Sequence, residues 1–170
     1  MNKERLGMGS KTVNYGTLIR PAKPTETLDL LQKNKPANAK EVLQGKWTLL
    51  QISPTKCDEL CQEHLLLIKR VRILMNEHMR RIRTVLVTEN GEADATAMQT
   101  NYPDLILTHT NTEKSKFIAQ FEQTNIETKA STIYLIDPLG NLMMVYPQAE
   151  PNVKRIIKDL KRLLKYSRLG

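Results

Sequence analysis

The pattern of hydrophobic and polar positions changes at Gly45, and this change divides the chain into two parts. Residues 1–45 contain several prolines and glycines and show little periodicity, so we predict a weakly structured N-terminal extension with a short strand around residues 17–20. From residue 46 onward, short β-rich apolar runs alternate with stripes of apolar residues at helical spacing. We therefore predict one folded domain over residues 46–168.

The apolar runs and stripes after Gly45 predict elements in the order β-α-β-α-β-α-β-β-α. The predicted strands are residues 47–52, 84–88, 104–107, 132–136 and 142–146, and the predicted helices are residues 58–79, 95–100, 112–123 and a final helix after Pro151. Pro138 suits the first central position of a turn and Gly140 supplies a positive φ, which favours an antiparallel hairpin between the last two strands.

Helical crossovers between the earlier strands make that half of the sheet parallel. The order of elements therefore predicts an α/β fold. More closely, it predicts a thioredoxin-like three-layer sandwich whose mixed sheet is parallel in its first half and carries an antiparallel C-terminal hairpin.

The composition fits a compact domain: 170 residues, 40% of them hydrophobic, with two cysteines and a formal net charge of +8. A chain of this length buries enough surface for a core without metal or disulfide staples, which leaves both cysteines free for chemistry. No apolar run is long enough for a membrane span, and residues 1–11 lack the apolar stretch of a signal peptide. The sequence as written is therefore expected to be soluble.

The positive charge is concentrated in the termini, above all in the final helix. That helix places Val153, Ile156, Leu160 and Leu164 on one stripe and its lysines and arginines around the rest of the cylinder. The basic face could meet anionic lipid or DNA, but the solvated face of a helix docked on the core is the favoured interpretation. The aromatic residues are scattered and no groove-reading motif is present, so we expect no nucleic-acid partner.

Cys57 and Cys61 lie where the first buried strand passes into the first long helix. We expect both thiols at the carboxyl edge of the sheet on the first helical turn, where backbone N–H groups and the helix dipole favour a thiolate. Lys56 favours that thiolate whereas Asp58 and Glu59 oppose it, so the predicted activation of Cys57 is modest. Four residues of helix advance about 6 Å, which permits an accessible, reducible disulfide. The alternative, two small buried hydrophobic side chains without chemistry, stays open.

The histidines add little to a metal site in this sequence. His64 shares the helical face of the cysteines but lies about 10 Å along the axis from Cys57, so we interpret His64 and His78 as core or rim residues. Two thiolates alone suit a soft ion such as Cu(I), and Cys57 and Cys61 are its predicted ligands if it binds.

Three motifs in the same order along the chain resemble one known family. They are residues 45–50, the cysteine pair with three residues between its members, and residues 133–140, which read Ile-Tyr-Leu-Ile-Asp-Pro-Leu-Gly. Together they resemble the Sco (SenC) family of cytochrome c oxidase biogenesis proteins, in particular its divergent members associated with bacterial cytochrome oxidase genes. The resemblance covers residues 15–168. It implies a thioredoxin fold tethered by one N-terminal span to the periplasmic face of the inner membrane, with the cysteines acting in copper delivery or thiol reduction for the oxidase CuA site.

The chain departs from this family at the third copper ligand. The resemblance places Lys129 where the family has a histidine, and His109 is not positioned to replace it. An ammonium does not ligate Cu(I), whereas a cation beside two thiols favours thiolate and disulfide exchange. The family's proline between or beside the cysteines is also absent from the motif, with Pro54 lying before it.

The second departure is the missing span. Residues 1–11 stand where relatives have an apolar helix, and we interpret them as a leader left when the anchor was removed, with Gly9 and Ser10 as a cloning remnant.

We therefore expect a membrane-tethered, extracytoplasmic protein that supports oxidase assembly by dithiol-disulfide chemistry, with Cys57 attacking, Cys61 resolving and Lys129 as an electrostatic neighbour. The expected partners are an oxidase subunit or assembly factors, and the expected state is a monomer. Three alternatives remain: a Cu(I) carrier that uses both cysteines, a non-catalytic assembly factor, and a cytosolic interaction domain. The enzyme class, if there is one, is thiol-disulfide oxidoreductase.

Overall fold

The structure is a computed structural model, and it describes residues 14–54 and 56–167. Within them the strands are β1 (Thr17–Pro24), β2 (Leu31–Gln32), β3 (Lys35–Pro36), β4 (Trp47–Ser53), β5 (Ile82–Thr88), β6 (Leu105–His109), β7 (Ile133–Ile136) and β8 (Asn141–Tyr146). The helices are α1 (Ala39–Val42), α2 (Glu59–Leu74), α3 (Ala95–Asn101), α4 (Lys116–Glu122) and α5 (Val153–Tyr166), and a 3₁₀ helix covers Asn76–Arg81.

All these strands join one sheet in the order β1-β8-β7-β4-β5-β6-β2-β3. Strands β4, β5 and β6 are parallel, and the remaining pairs are antiparallel. Because β8 is antiparallel to β7 and β7 is antiparallel to β4, the carboxyl end of β8 lies at the same edge as those of β4, β5 and β6. We call this edge the carboxyl edge.

Two apolar clusters on opposite faces of the sheet make the predicted three layers. One face packs against α2, α3 and α5, through residues such as Ile68, Met98 and Leu160. The other packs against α1 and α4, through residues such as Val42 and Phe117. Side chains of successive strand residues point to opposite faces, and all seven residues of β4 are buried because helices cover both sides. The thioredoxin-like α/β sandwich and its mixed sheet are confirmed.

The C-terminal hairpin has the predicted turn and pairing. The N–H of Gly140 donates to the carbonyl oxygen of Asp137 over 2.9 Å, and Gly140 has a φ of +91°. Strands β7 and β8 pair antiparallel, with Ile133 opposite Tyr146 and a register shift between Leu135 and Ile136. This hairpin places β7 beside β4 and thereby carries the segment before β7 to the carboxyl edge.

The N-terminal part is more ordered than the sequence predicts. Strand β1 extends to Pro24 rather than ending at Arg20, and it pairs with β8 at one side of the sheet. The short hairpin of β2 and β3, which the sequence analysis misses, extends the other side next to β6. Leu30 between these segments is fully buried. The description of a weakly structured arm is therefore wrong for these residues, although the boundary at residue 45 stays a prediction.

Two helices are shorter than predicted. Helix α2 ends at Leu74 rather than Met79, because Asn76 adopts a φ of +55° and the chain continues as the 3₁₀ helix. Helix α4 begins at Lys116 rather than Thr112, with Ser115 as its N-cap. The interpretation of residues 1–11 and the predicted end of the domain at Arg168 lie outside the described residues.

Candidate functional site

The site lies where β4 leaves the sheet and α2 begins. Asp58 is the N-cap of α2, and its carboxylate accepts a hydrogen bond from the N–H of Cys61 over 2.9 Å. Cys61 is therefore in the first helical turn, whereas Cys57 precedes the cap. The prediction that both thiols lie on one helical turn is wrong for Cys57, because the Asp58 side chain caps the helix after it.

Cys57 and Cys61 form a disulfide, and their Cα atoms are 5.1 Å apart. This separation lies within the range that disulfides tolerate and is shorter than the rise of four helical residues, because Cys57 is outside the helix. Cys61 is fully buried, whereas Cys57 is half-buried. The two cysteines are therefore not equivalent: a partner reaches Cys57 from solvent and meets Cys61 only behind it.

The buried amide of Gln51 supports Cys61 from the sheet. Its Nε2 donates to the carbonyl oxygen of Cys61 over 3.0 Å, which connects β4 to the first turn of α2. Its Oε1 is buried and has no hydrogen-bond partner among the described residues. A buried acceptor without a partner costs free energy, so this side chain is held at some cost beside the disulfide.

His64 connects the helix to two loops at the carboxyl edge. Its side chain is buried, with Nδ1 2.5 Å from the carbonyl oxygen of Ser131 and Nε2 3.3 Å from that of Ala149. Both partners are acceptors, and a neutral imidazole has a single N–H, so it donates to only one of them. Because both ring nitrogens face carbonyl oxygens, His64 is a structural link between loops rather than a ligand directed toward the cysteines.

The loop before β7 brings Lys129 to the same edge as the cysteines. The N–H of Ser131 donates to the carbonyl oxygen of Ile52 over 2.8 Å, near the end of β4. The N–H of Lys129 donates to the Thr132 hydroxyl over 3.0 Å, while the side chain of Lys129 is exposed. The predicted electrostatic action of Lys129 on the thiols stays a prediction. We refer to Gln51, Cys61, His64 and Ser131 as the thiol-edge cluster.

The described residues place no histidine or carboxylate beside the cysteines as a third metal ligand. Among residues 14–54 and 56–167, no group of three His, Cys, Asp or Glu side chains is placed to hold a metal ion. His78 lies on the 3₁₀ helix beside Glu77, and His109 is buried on β6 with Nε2 3.9 Å from Glu92. The reduced cysteines would offer two soft sulfur ligands. Gln51 and the role of His64 were not predicted from the sequence; an amide in the middle of a mostly apolar strand was the available signal for Gln51.

The sequence matches a known protein family over most of its length. Residues 47–167 match the family described as "Transmembrane-like, thioredoxin-like, C-terminal domain". No curated protein is similar enough in sequence to count as a match. Within the part of the chain that the structure describes, no helix has the length and apolar character needed to cross a membrane.

Solved structures with a similar fold include several Sco proteins. Apo Sco1 from Thermus thermophilus has 18% identity and a TM-score of 0.64, covering 88% of this chain and 96% of its own. Yeast Sco1 with copper bound has 12% identity and a TM-score of 0.63, covering 85% and 90%. BsSco, in which a disulfide switch is identified and which belongs to the Sco family of cytochrome c oxidase assembly proteins, has 14% identity and a TM-score of 0.60, covering 86% and 96%. The expected likeness to Sco proteins is thus confirmed in the fold.

Proposed function

The chain belongs to the family of transmembrane-like, thioredoxin-like, C-terminal domains, and we propose that it is a membrane-tethered thiol-disulfide protein that supports cytochrome c oxidase assembly. The observation that carries the proposal is the Cys57–Cys61 disulfide at the carboxyl edge, with one cysteine half-buried and the other fully buried. Likeness in fold to Sco proteins, one of which has an identified disulfide switch, supports the assignment to oxidase assembly. The proposed partner is an oxidase subunit or an assembly factor at the CuA site.

The proposed reaction is a two-electron thiol-disulfide exchange. The thiolate of reduced Cys57 attacks one sulfur of a partner disulfide, forming a mixed disulfide and releasing the other partner sulfur as a thiolate. The thiolate of Cys61 then attacks the Sγ of Cys57, which closes the Cys57–Cys61 disulfide and releases the second partner thiolate. The partner gains two electrons and two protons, and the cysteine pair loses them.

The protein's own residues prepare this reaction in two ways. The N–H of Cys61 donates to the Asp58 carboxylate, and Gln51 donates to the Cys61 carbonyl oxygen, so the resolving cysteine is held at a fixed position behind Cys57. The start of α2 lies beside both sulfurs, and a helix N-terminus favours negative charge on a thiolate. Half-buried Cys57 is then the attacking residue, and fully buried Cys61 is the resolving one.

Thiol exchange fits the donor atoms better than copper transfer does. Reduced Cys57 and Cys61 offer two sulfur ligands, but the family resemblance puts Lys129 at the third-ligand position and His64 is occupied by two carbonyl oxygens. A Cu(I) ion carried as cargo would therefore need a ligand from its recipient. An anaerobic Cu(I) titration against a strong competing chelator, with Cys57→Ser as control, tests this: we expect weak binding, and tight stoichiometric binding by the chain alone would contradict it.

The proposed location is the periplasmic side of a bacterial inner membrane. Disulfides persist in such oxidising compartments and are rare in the cytosol. The transmembrane-like description of the matched family supports a tether.

The central experiment is equilibration of the chain with glutathione redox buffers. We expect the fraction of oxidised Cys57–Cys61 to follow a single two-electron transition, because both sulfurs belong to one couple. With glutathione disulfide as the probe, Cys61→Ser should accumulate a mixed disulfide at Cys57, whereas Cys57→Ser should react at least roughly tenfold more slowly because Cys61 is buried. Two results would contradict the proposed chemistry: thiols that never oxidise, or mixed disulfides with glutathione that form equally fast in Cys61→Ser and Cys57→Ser.

A second experiment separates exchange chemistry from a purely structural role. In cells that lack the native protein, the double variant Cys57→Ser, Cys61→Ser should fail to restore oxidase activity while accumulating to the normal level. Normal restoration by the double variant would favour a non-catalytic assembly factor.

A further inference from the structure

The outer face of α5 is a strongly positive surface. Its exposed basic residues are Lys154, Arg155, Lys158, Lys161 and Lys165. The single acidic residue of the helix, Asp159, is 1% exposed and faces the core. Among the residues that the structure describes, no carboxylate lies within 4.0 Å of Lys154, Lys158 or Lys161. None of these three lysines is therefore held in an ion pair among the described residues.

The first described residues of the chain are fastened to this helix. The backbone N–H groups of Tyr15 and Gly16 donate to the two carboxylate oxygens of Asp159 over 3.0 and 2.9 Å. The hydroxyl of Tyr146 donates to the same carboxylate over 3.0 Å, and burial together with this negative charge raises the pKa of Tyr146 well above its usual value. We call these four residues the Asp159 cluster.

The close approach at Gly16 leaves no room for a larger residue. A Cβ atom at Gly16 would lie 2.7 Å from Cε1 of Tyr146 and would also collide with Sδ of Met144. The backbone at Gly16 is therefore packed tightly against the side chains of Met144 and Tyr146 on β8.

The same residues lie at the carboxyl edge, close to the thiol site. The N–H of Asn152, the N-cap of α5, donates to the Tyr15 hydroxyl over 2.9 Å, and Gln148 Nε2 donates to the Tyr15 carbonyl oxygen over 3.4 Å. The carbonyl oxygen of the next residue, Ala149, is the partner of His64 Nε2. One line of contacts therefore runs from the chain's point of attachment to the helix that carries Cys61.

We propose that the basic outer face of α5 rests on an anionic phospholipid bilayer, with the thiol edge held beside the membrane surface. The inference depends on the proposed membrane tether, because a tether that precedes Asn14 would reach the domain at α5. Exposed lysines gain favourable free energy near anionic headgroups. Tyr166, at the end of α5, is 78% exposed, and a tyrosine ring suits the headgroup region of a bilayer.

The test is cosedimentation of the 170-residue chain with vesicles of phosphatidylcholine, with or without about one-third phosphatidylglycerol. We expect binding to the anionic vesicles only, with loss of that binding at about 0.5 M salt because the attraction is electrostatic. The variant Lys154→Gln, Lys158→Gln, Lys161→Gln should bind roughly 100-fold more weakly, since each lysine near the surface contributes about fivefold.

A matched control variant removes three positive charges from another part of the surface. Lys33, Lys35 and Lys40 are exposed near β3, at the opposite side of the sheet from β1. Their replacement by Gln should weaken binding by less than about threefold, because these lysines would face away from the bilayer. Circular dichroism and thermal unfolding of both triple variants confirm that the lysines, and not the fold, are being tested.

Three outcomes would overturn the inference: no binding of the wild-type chain to anionic vesicles, equal binding to neutral vesicles, and equal weakening by the two triple variants. In the first case an acidic protein surface would be the remaining partner for α5. The glutathione titration of the α5 variant separates this result from the proposed function, because loss of membrane contact leaves the Cys57–Cys61 couple unchanged. Failure of the thiol chemistry, conversely, would leave vesicle binding intact.

Discussion

The Asp159 cluster and the thiol-edge cluster are two buried polar groups on the same face of the sheet, and they differ in how fully their hydrogen bonds are made. The Asp159 carboxylate accepts three hydrogen bonds, and Arg162 Nη1 lies 3.8 Å from it. In the thiol-edge cluster, Gln51 Oε1 and Ser131 Oγ are buried without a partner among the described residues, and His64 faces two acceptors.

Under the proposed function, this difference distinguishes a structural joint, the Asp159 cluster, from a reactive site, the thiol-edge cluster. A satisfied buried network rigidifies its surroundings, whereas an incompletely satisfied one costs free energy that a stable fold must offset elsewhere. Under the proposed function, the thiol edge accommodates two covalent states, with the sulfurs bonded or apart. Incomplete hydrogen bonding at that edge means that fewer interactions must break when the sulfurs separate. The following predictions test this contrast.

The largest effect is expected for Asp159→Ala. It leaves the buried N–H groups of Tyr15 and Gly16 and the hydroxyl of Tyr146 without their acceptor, so the free energy of unfolding should fall by about 3–5 kcal/mol. Urea unfolding measures it. Asp104→Ala is the control, since Asp104 forms an exposed ion pair with Arg72 and should cost less than about 1 kcal/mol. Equal losses would mean that the Asp159 cluster is not a structural joint.

His64→Leu should have the next largest effect, about 2 kcal/mol, because it removes the ring N–H that is donated to one of the carbonyl oxygens of Ser131 and Ala149 and also the contact between the two loops. Amide hydrogen exchange should accelerate in the loop before β7, and the reduction potential of the cysteine pair should shift. His64→Asn keeps a side-chain N–H donor. Its amide hydrogen exchange and its reduction potential should therefore change less than those of His64→Leu. An unchanged potential with a large stability loss would show that His64 supports the fold but not the thiol site.

Tyr146→Phe should cost about 1–2 kcal/mol at neutral pH by removing the hydrogen bond to Asp159. The folded pKa of Tyr146 lies well above its usual value, because burial and the Asp159 charge disfavour the phenolate. The stability that this shift contributes is fully present below about pH 10 and is lost as the pH rises toward the folded pKa.

Urea unfolding between pH 8 and pH 11 should therefore show a smaller alkaline loss in Tyr146→Phe than in the wild type. Tyr134→Phe is the control, because the pKa of Tyr134 is raised chiefly by burial. This variant keeps Tyr146 beside Asp159, so it should keep the alkaline loss of stability that arises from that pair. An identical alkaline slope in wild type and Tyr146→Phe would contradict the role of Asp159.

The smallest effect on stability is expected for Gln51→Leu. It removes the hydrogen bond to Cys61 but also removes an unpartnered buried oxygen, so the net change should stay within about 1 kcal/mol. The reduction potential should nevertheless shift, since the Cys61 carbonyl oxygen loses its donor. A loss as large as that of Asp159→Ala would mean that the thiol edge is as tightly specified as the Asp159 cluster.

Local sequence patterns predicted those parts of the fold that depend on neighbouring residues. The apolar run of β4, the turn at Pro138 and the helical stripe of α5 each carry their signal within a few positions. The hairpin of β2 and β3 was not predicted, because each strand has only two residues, too few to show a hydrophobic period. Asn76 ended α2 early by adopting a positive φ that no apolar pattern encodes.

The candidate site was predicted only in part, for the same reason. The spacing of Cys57 and Cys61 identified the pair, but the partners of His64 are 67 and 85 positions away along the chain and leave no local trace. Asp159, by contrast, has a local signal in the sequence: it is the single acidic residue of a basic helix and lies next to Leu160, on the apolar stripe. An isolated charge on such a stripe predicts a buried acceptor with partners elsewhere in the fold.

The bonds of Asp159 also set an order of events during synthesis. Tyr15 and Gly16 are 144 and 143 residues from Asp159, so their hydrogen bonds to its carboxylate cannot form until residue 159 has been made. The disulfide closes a loop between residues four positions apart, which needs no distant segment. An emerging chain can thus acquire its sulfur–sulfur bond before the domain is complete. Under the proposed function, such a protein would start in the oxidised state and require a reductant before its first exchange reaction.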